Sequence, residues 1–237
     1  MDGTGQTLTA AVIASPDDDL PRLVYADWCD ENGHPERAEF IRVQCALARP
    51  DGLPADRLAD LRIREQTLLE VHGESWLAPL RARGEPLFSP RTHGRFHRGF
   101  VETVWMPAAE FLTNADRLFE RCPVRELRVT QTTPEEFRQL VIDGRVFRRL
   151  DTLDLSERQL AGLVGPLLQM GATRWPRWNL RRLRLRACGI NNAGGYSISR
   201  VPRSTFDPVE LDVSLNTLDG YGLADLRDRY GPAVRFD

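Results

Sequence analysis

Lysine is missing from this 237-residue chain: all 32 positions counted as Lys plus Arg are Arg. Schiff-base chemistry and the lysine of a phosphate-binding loop are therefore excluded. A GC-rich coding bias or selection for guanidinium chemistry would each produce the pattern. Either way, every Lys/Arg-type cation is a planar donor capable of bidentate contacts. Cysteine is scarce. Cys29, Cys45, Cys122 and Cys188 stand far apart without a Cys-x-x-Cys pair, which suits a reducing cytoplasm and reads as small apolar filling. No apolar run approaches the length of a membrane span. The N-terminus lacks a basic segment followed by an apolar one and soon carries Asp17-Asp18-Asp19, so neither secretion nor membrane insertion is expected.

An excess of one charge sign is also absent. Asp plus Glu total 34, the net charge is -2, and nothing global calls for nucleic acid or an acidic membrane. Nor does the chain contain Gly-x-x-x-x-Gly-Lys, Gly-x-Ser-x-Gly, His-Glu-x-x-His or Gly-x-Gly-x-x-Gly. No catalytic residue, cofactor or metal is assigned, and a non-enzymatic role is expected. A metal-dependent hydrolytic reading on Asp27, Glu31 and the histidines finds no His or Cys at ligand spacing beside those carboxylates. His93-x-x-x-His97 has the separation of a helical metal pair, but Gly94, Pro90 and Gly99 argue against a helix there.

What is present divides the chain in two. Residues 1–72 carry a net charge of -7 and residues 73–237 one of +5. From Leu8 to about Leu80 apolar residues recur at helical spacing. Leu8, Val12 and Ile13 mark a first helix, Leu20, Leu23, Val24 and Trp28 a second, and Phe40, Val43 and Leu47 a third. Asp19 is expected to cap the second, Gly33 to end it in a left-handed turn and Pro35 to open the third; a fourth runs from about Pro54 to Glu70, ended by Gly73. Arg37 and Arg42 are expected to pair with carboxylates such as Asp27 and Glu31 across the helix hairpin.

Within this region stand Tyr25-Ala26-Asp27-Trp28, Gly33-His34-Pro35 and Arg37-Ala38-Glu39-Phe40-Ile41-Arg42. Over roughly residues 7 to 50 the pattern resembles the bacterial repeat-companion domain, a short helical module found in front of repeats such as leucine-rich repeats. Cys29 departs from the Leu more usual in that family. The resemblance implies architecture and no activity.

The rest of the chain repeats. An apolar-x-x-apolar-x-apolar signature centres on positions 104, 127, 153, 183, 211 and 234, at intervals of 23, 26, 30, 28 and 23 residues. Leucine-rich repeats run roughly 20–29 residues. Two units carry the fuller consensus, with Cys188 and Asn216 in the Asn/Cys slot, whereas Thr132 and Arg158 depart from it. They resemble the helix-containing, ribonuclease-inhibitor-like class. Thr133-Pro134-Glu135-Glu136 is a capping box, Ser156-x-x-Gln159 repeats the device, and Leu223 to Tyr230 supplies a last helix. Asn191 through Phe206 reads as an irregular loop, because it is polar and Gly-rich.

The fold expected is α/β: a helical module over residues 1–80, a basic connector over 81–100, and a short solenoid of about six strands over 101–237. Its parallel strands would line a concave face and its helices a convex one. Residues following each central apolar position then share the concave face: Trp105, Arg128, Asp154, Arg184, Asp212 and Arg235. These, with Arg182 and Arg186, and with Trp175, Trp178 and Tyr196 at the rim, form the expected site for a protein partner. A second reading binds RNA or DNA through the Arg-rich stretches 81–98 and 174–186, on Arg91, Arg95, Arg98, Arg174, Arg177, Arg181 and Arg182. The connector, including Arg81, Arg83, Arg95 and Arg98, is also expected to dock on the acidic N-terminal helices.

Overall fold

Apolar spacing of three and four residues along the first 80 positions builds four helices in the computed structural model, which describes residues 3–81 and 87–236. They are α1 (Gly3–Ala14), α2 (Leu20–Glu31), α3 (Pro35–Ala48) and α4 (Ala55–Leu77). After them come β1 (His93–His97), β2 (Phe100–Met106), α5 (Ala108–Arg121), β3 (Glu126–Val129), α6 (Pro134–Asp143), α7 (Arg145–Arg148) and β4 (Thr152–Asp154). The order closes with α8 (Val164–Arg174), β5 (Arg182–Arg184), α9 (Asn192–Ser199), β6 (Glu210–Asp212), α10 (Gly220–Tyr230) and β7 (Val234–Arg235). The fold is thus mixed α/β. Its sheet is open, ordered β1-β2-β3-β4-β5-β6-β7, and parallel from β3 to β7. Two compact units emerge, one from the chain up to Thr103 with Asp116–Val124, the other from Val104–Ala115 and the chain from Arg125 on.

In the first unit Val12, Tyr25, Ala26, Cys29, Ala38, Ile41, Cys45 and Phe100 form one buried cluster. Three expectations there need correction. Asp19 does not cap α2 with its side chain. Its carboxylate is taken by Arg49 at 2.9 Å and Arg98 at 3.2 Å, and Asp18 accepts from the Leu20 N–H instead. Gly73 does not end α4, which continues to Leu77 because Leu77 is buried beyond it. Within the connector, β1 leads into β2 through a hairpin whose two turn residues, Arg98 (φ 46°) and Gly99 (φ 83°), both adopt the left-handed backbone that such tight turns demand. A Cβ on Gly99 would lie 2.4 Å from Ile41. Finally, Arg42 pairs with Asp27 (2.6 Å) and Asp30 (2.7 Å) as the hairpin reading expects, but Arg37 does not join such a pair.

In the second unit the central Leu127, Leu153, Leu183 and Leu211 are fully buried, and each is the register partner of the next. The capping box at Thr133 forms: its hydroxyl accepts from the Glu136 N–H and Glu136 accepts from the Thr133 N–H. Ser156-x-x-Gln159 caps nothing, since the Ser156 N–H is held by Asp154 and α8 starts only at Val164. The expected loop at 191–206 contains α9, capped by the Asn191 side chain accepting from Gly194. Its glycines serve close approach. A Cβ on Gly195 would lie 2.8 Å from Leu218, and one on Gly165 of α8 would lie 2.4 Å from Ser197 of α9.

Candidate functional site

Each strand from β3 to β6 sends its leucine inward, so the residues on either side of it share the opposite face. Register makes Arg128, Asp154, Arg184, Asp212 and Arg235 successive partners on that face. A parallel row runs one pleat away through Glu126, Thr152, Arg182 and Glu210. The spacing of the strands, about 4.8 Å, brings the two rows within side-chain reach of each other.

The ion pairs formed are not those of a single-row ladder. Arg184 Nε donates to Glu210 at 2.9 Å and Arg184 Nη1 to Glu126 at 3.1 Å, both in the neighbouring row. Glu126 is reached across β4 because short Thr152 stands between them. Asp154 and Asp212 are drawn away by the chain itself: Asp154 accepts from the Ser156 N–H, and Asp212 from the Ser214 N–H and hydroxyl, each at 2.9 Å or less. Burial works against charge on Arg184, but Glu210, Glu126 and Asp154 outweigh it and hold the guanidinium above its ordinary pKa. Glu210 also lies 3.9 Å from Arg182 and from Arg235, and Arg128 3.8 Å from Asp154.

Depth separates the signs. The Asp154 and Glu210 side chains are 9% and 10% exposed, whereas Arg128, Arg182 and Arg235 are 40%, 45% and 68% exposed. Carboxylates form the floor and guanidinium groups the rim of this face, and Arg186 is exposed beyond its edge.

No family model, curated protein or solved structure matches the chain. The site therefore rests on its own geometry. Of the remaining expected residues, Trp105 is half-buried on β2. Trp175 donates its indole N–H to the Val141 carbonyl and lies under Arg148, with ring atoms 2.2 Å from where a Cβ on Gly144 would stand. Trp178 stacks on Phe147 at 4.1 Å, and the column continues through Phe206 to Tyr230. Both tryptophans are thus engaged inside the chain. Tyr196 is 53% exposed, but on helix α9.

The Arg-rich stretches divide similarly. Arg98 is buried beside Asp19 and Glu102, and Arg174 donates to the Ile142 carbonyl. Arg91, Arg95, Arg177 and Arg181 are exposed. Arg98 makes the contact expected of the connector with the acidic helices; Arg95 stays at the surface, and Arg83 lies outside the described residues. His93 and His97 sit at the ends of one strand, roughly 13 Å apart at ~3.3 Å per residue. Among the described residues no group of three His, Cys, Asp or Glu is placed to hold a metal, and no helix is long and apolar enough to cross a membrane.

Sequence reading missed the turn that sets the slot residues. Glu157, Ala187 and Leu215 all have positive φ (64°, 52° and 54°), each one residue before Arg158, Cys188 or Asn216. Those three then donate to the main chain of the preceding strand-and-turn: Arg158 to the Thr130 carbonyl, Cys188 to Leu155 and Asn216 to Leu185. Arg158 makes with a longer side chain the same kind of main-chain contact that Asn216 makes. The equal spacing of such turns from each strand was the signal available.

Proposed function

We propose that this chain is a non-catalytic scaffold or adaptor: a helical module like the repeat-companion domain, followed by a short leucine-rich solenoid that binds a protein partner through its concave strand face. The observation that carries the reading is the depth sorting on that face. Sunken carboxylates hold Arg184 at hydrogen-bond distance and lie 3.8–3.9 Å from Arg128, Arg182 and Arg235, whose heads remain accessible for bidentate contact with carboxylates of an acidic protein surface. The recurring positive-φ turn and slot residue support the repeat assignment. The RNA or DNA reading has less behind it, because Arg98, which it needs at the surface, is buried beside Asp19 and Glu102, and Arg174 donates to the Ile142 carbonyl.

Capture from the native host with the intact chain and with a variant carrying Arg128→Glu, Arg182→Glu and Arg235→Glu tests this, with protein and nucleic acid both identified. A protein captured by the intact chain and lost by the variant is the expected outcome. An identical capture, or nucleic acid alone released steeply by salt, would overturn the proposal.

A further inference from the structure

Arg37 stands at the start of α3 in the first unit, and its guanidinium is surrounded by rings. Its central carbon lies 5.0 Å from the Trp76 ring, 5.2 Å from Phe96, 5.6 Å from Phe100 and 5.7 Å from Phe40. Nη2 donates to the Gly99 carbonyl. Nη1 is buried and has no hydrogen-bond partner, and among the described residues no carboxylate forms an ion pair with Arg37. Ring faces attract a cation, but they accept hydrogen bonds poorly, so two N–H bonds remain unanswered. Burial pushes the guanidinium down to about 10, with little opposition from Tyr25, Cys29 and Cys122.

This group lines a cleft of about 480 Å³, within the ~300–1,000 Å³ range of small-molecule sites. Tyr25, Trp28, Trp76, Phe96 and Phe100 give it aromatic walls, and His34, Glu36 and Ser75 also line it. Burial raises the lining thiols, Cys29 to about 11 and Cys122 to about 12, so they remain neutral and unreactive there.

We propose that this cleft binds a small monocarboxylate carried on an aromatic or apolar body, its carboxylate completing Arg37 and its body lying against the aromatic walls. A phosphate fits worse. Besides Arg37 the one further guanidinium lining the cleft among the described residues is Arg121, the Glu36 carboxylate lines it as well, and the remaining walls are largely aromatic and apolar. The proposal is independent of the strand-face reading.

Titration of the full chain with 3-phenylpropionate and with its neutral analogue 3-phenylpropanamide, read by tryptophan fluorescence and calorimetry, tests it. The acid is expected to saturate the protein below millimolar concentration and to bind about tenfold or more tightly than the amide. Arg37→Met is expected to abolish that preference. Should Arg37→Met fail to fold, Ser75→Trp, at an exposed position lining the cleft, keeps the test: it is expected to block binding with the circular dichroism unchanged. A peptide ending in Phe that outcompetes the acid would support the site with a chain end as its ligand. Equal binding of acid and amide, no saturation at millimolar concentration, or full binding by Ser75→Trp would overturn it.

Discussion

Arg22 and Arg98 in the first unit have side chains 0% and 8% exposed, whereas Arg128 and Arg235 in the second are 40% and 68% exposed. One residue type, in a chain without lysine, is used in two ways. In the helical unit Arg22 and Arg98 are interior cross-links: Arg22 reaches Glu102 at 2.6 Å and the carbonyls of Pro16 and Arg98 at 2.9 and 3.1 Å. Its planar fork suits that task, since one side chain satisfies several acceptors in fixed directions. In the strand unit the interior is apolar and aromatic, and the arginines are displayed above a floor of carboxylates. Interior charge costs stability when disturbed, and displayed charge does not, so mutations should separate the two units by magnitude.

The largest effect is expected at Arg22. Arg22→Ala leaves Glu102, 7% exposed, without its closest partner. Losing one member of a buried pair costs about 3–5 kcal/mol, here near the lower end because Arg98 remains 3.6 Å from Glu102. Denaturant unfolding followed by Trp28 and Trp76, with labelling of buried Cys45, measures it. A loss under about 1 kcal/mol would show that interior arginine is dispensable and erase the contrast.

Next is Gly165→Ala in the second unit. The new Cβ would stand 2.4 Å from Ser197 Cβ and 2.9 Å from the Gly194 carbonyl oxygen, so α8 and α9 must part. Overpacking of this kind costs about 1–3 kcal/mol. An unchanged midpoint would mean that the helices are loosely packed, and that the second unit lacks the tight apolar interior on which the comparison depends.

The strand register was legible because period two and a recurring leucine fix which side chains share a face, and the partners Arg128, Asp154, Arg184, Asp212 and Arg235 follow directly. Which carboxylate each arginine chooses was not, because Asp154 and Asp212 are claimed by serines two residues on, a contest that periodicity does not contain. Helix α9 was hidden because Gly194-Gly195 means flexibility by composition and close packing in three dimensions. Arg37 was hidden for a related reason. Its rings come from positions 40, 76, 96 and 100, and no local pattern joins them.

A smaller effect, of opposite sign, is expected at the repeated turn. Leu215 is 62% exposed with φ 54°, a conformation that costs a non-glycine residue about 1 kcal/mol. Leu215→Gly should raise the second unit's stability by somewhat less than that, since glycine also gains freedom in the unfolded chain. A thermal midpoint that falls instead would mean that Leu215 makes a contact worth more than the strain, and the turn would then be held by its side chain as well as by Asn216.

The smallest stability change is expected where the proposed function is greatest. Arg235 meets Glu210 only at 3.9 Å and is mostly solvated, so Arg235→Ser should alter stability by no more than about 0.5 kcal/mol. Partner capture should nevertheless weaken, because an exposed guanidinium at the rim contributes to a partner what it does not contribute to the fold. The pair of measurements decides between the two uses of arginine: a cost above about 1 kcal/mol would make Arg235 a cross-link like Arg22, and unchanged stability with unchanged capture would leave it outside any interface. Only the combination of intact stability and weakened capture fits a residue whose ionic neighbours position it for another molecule.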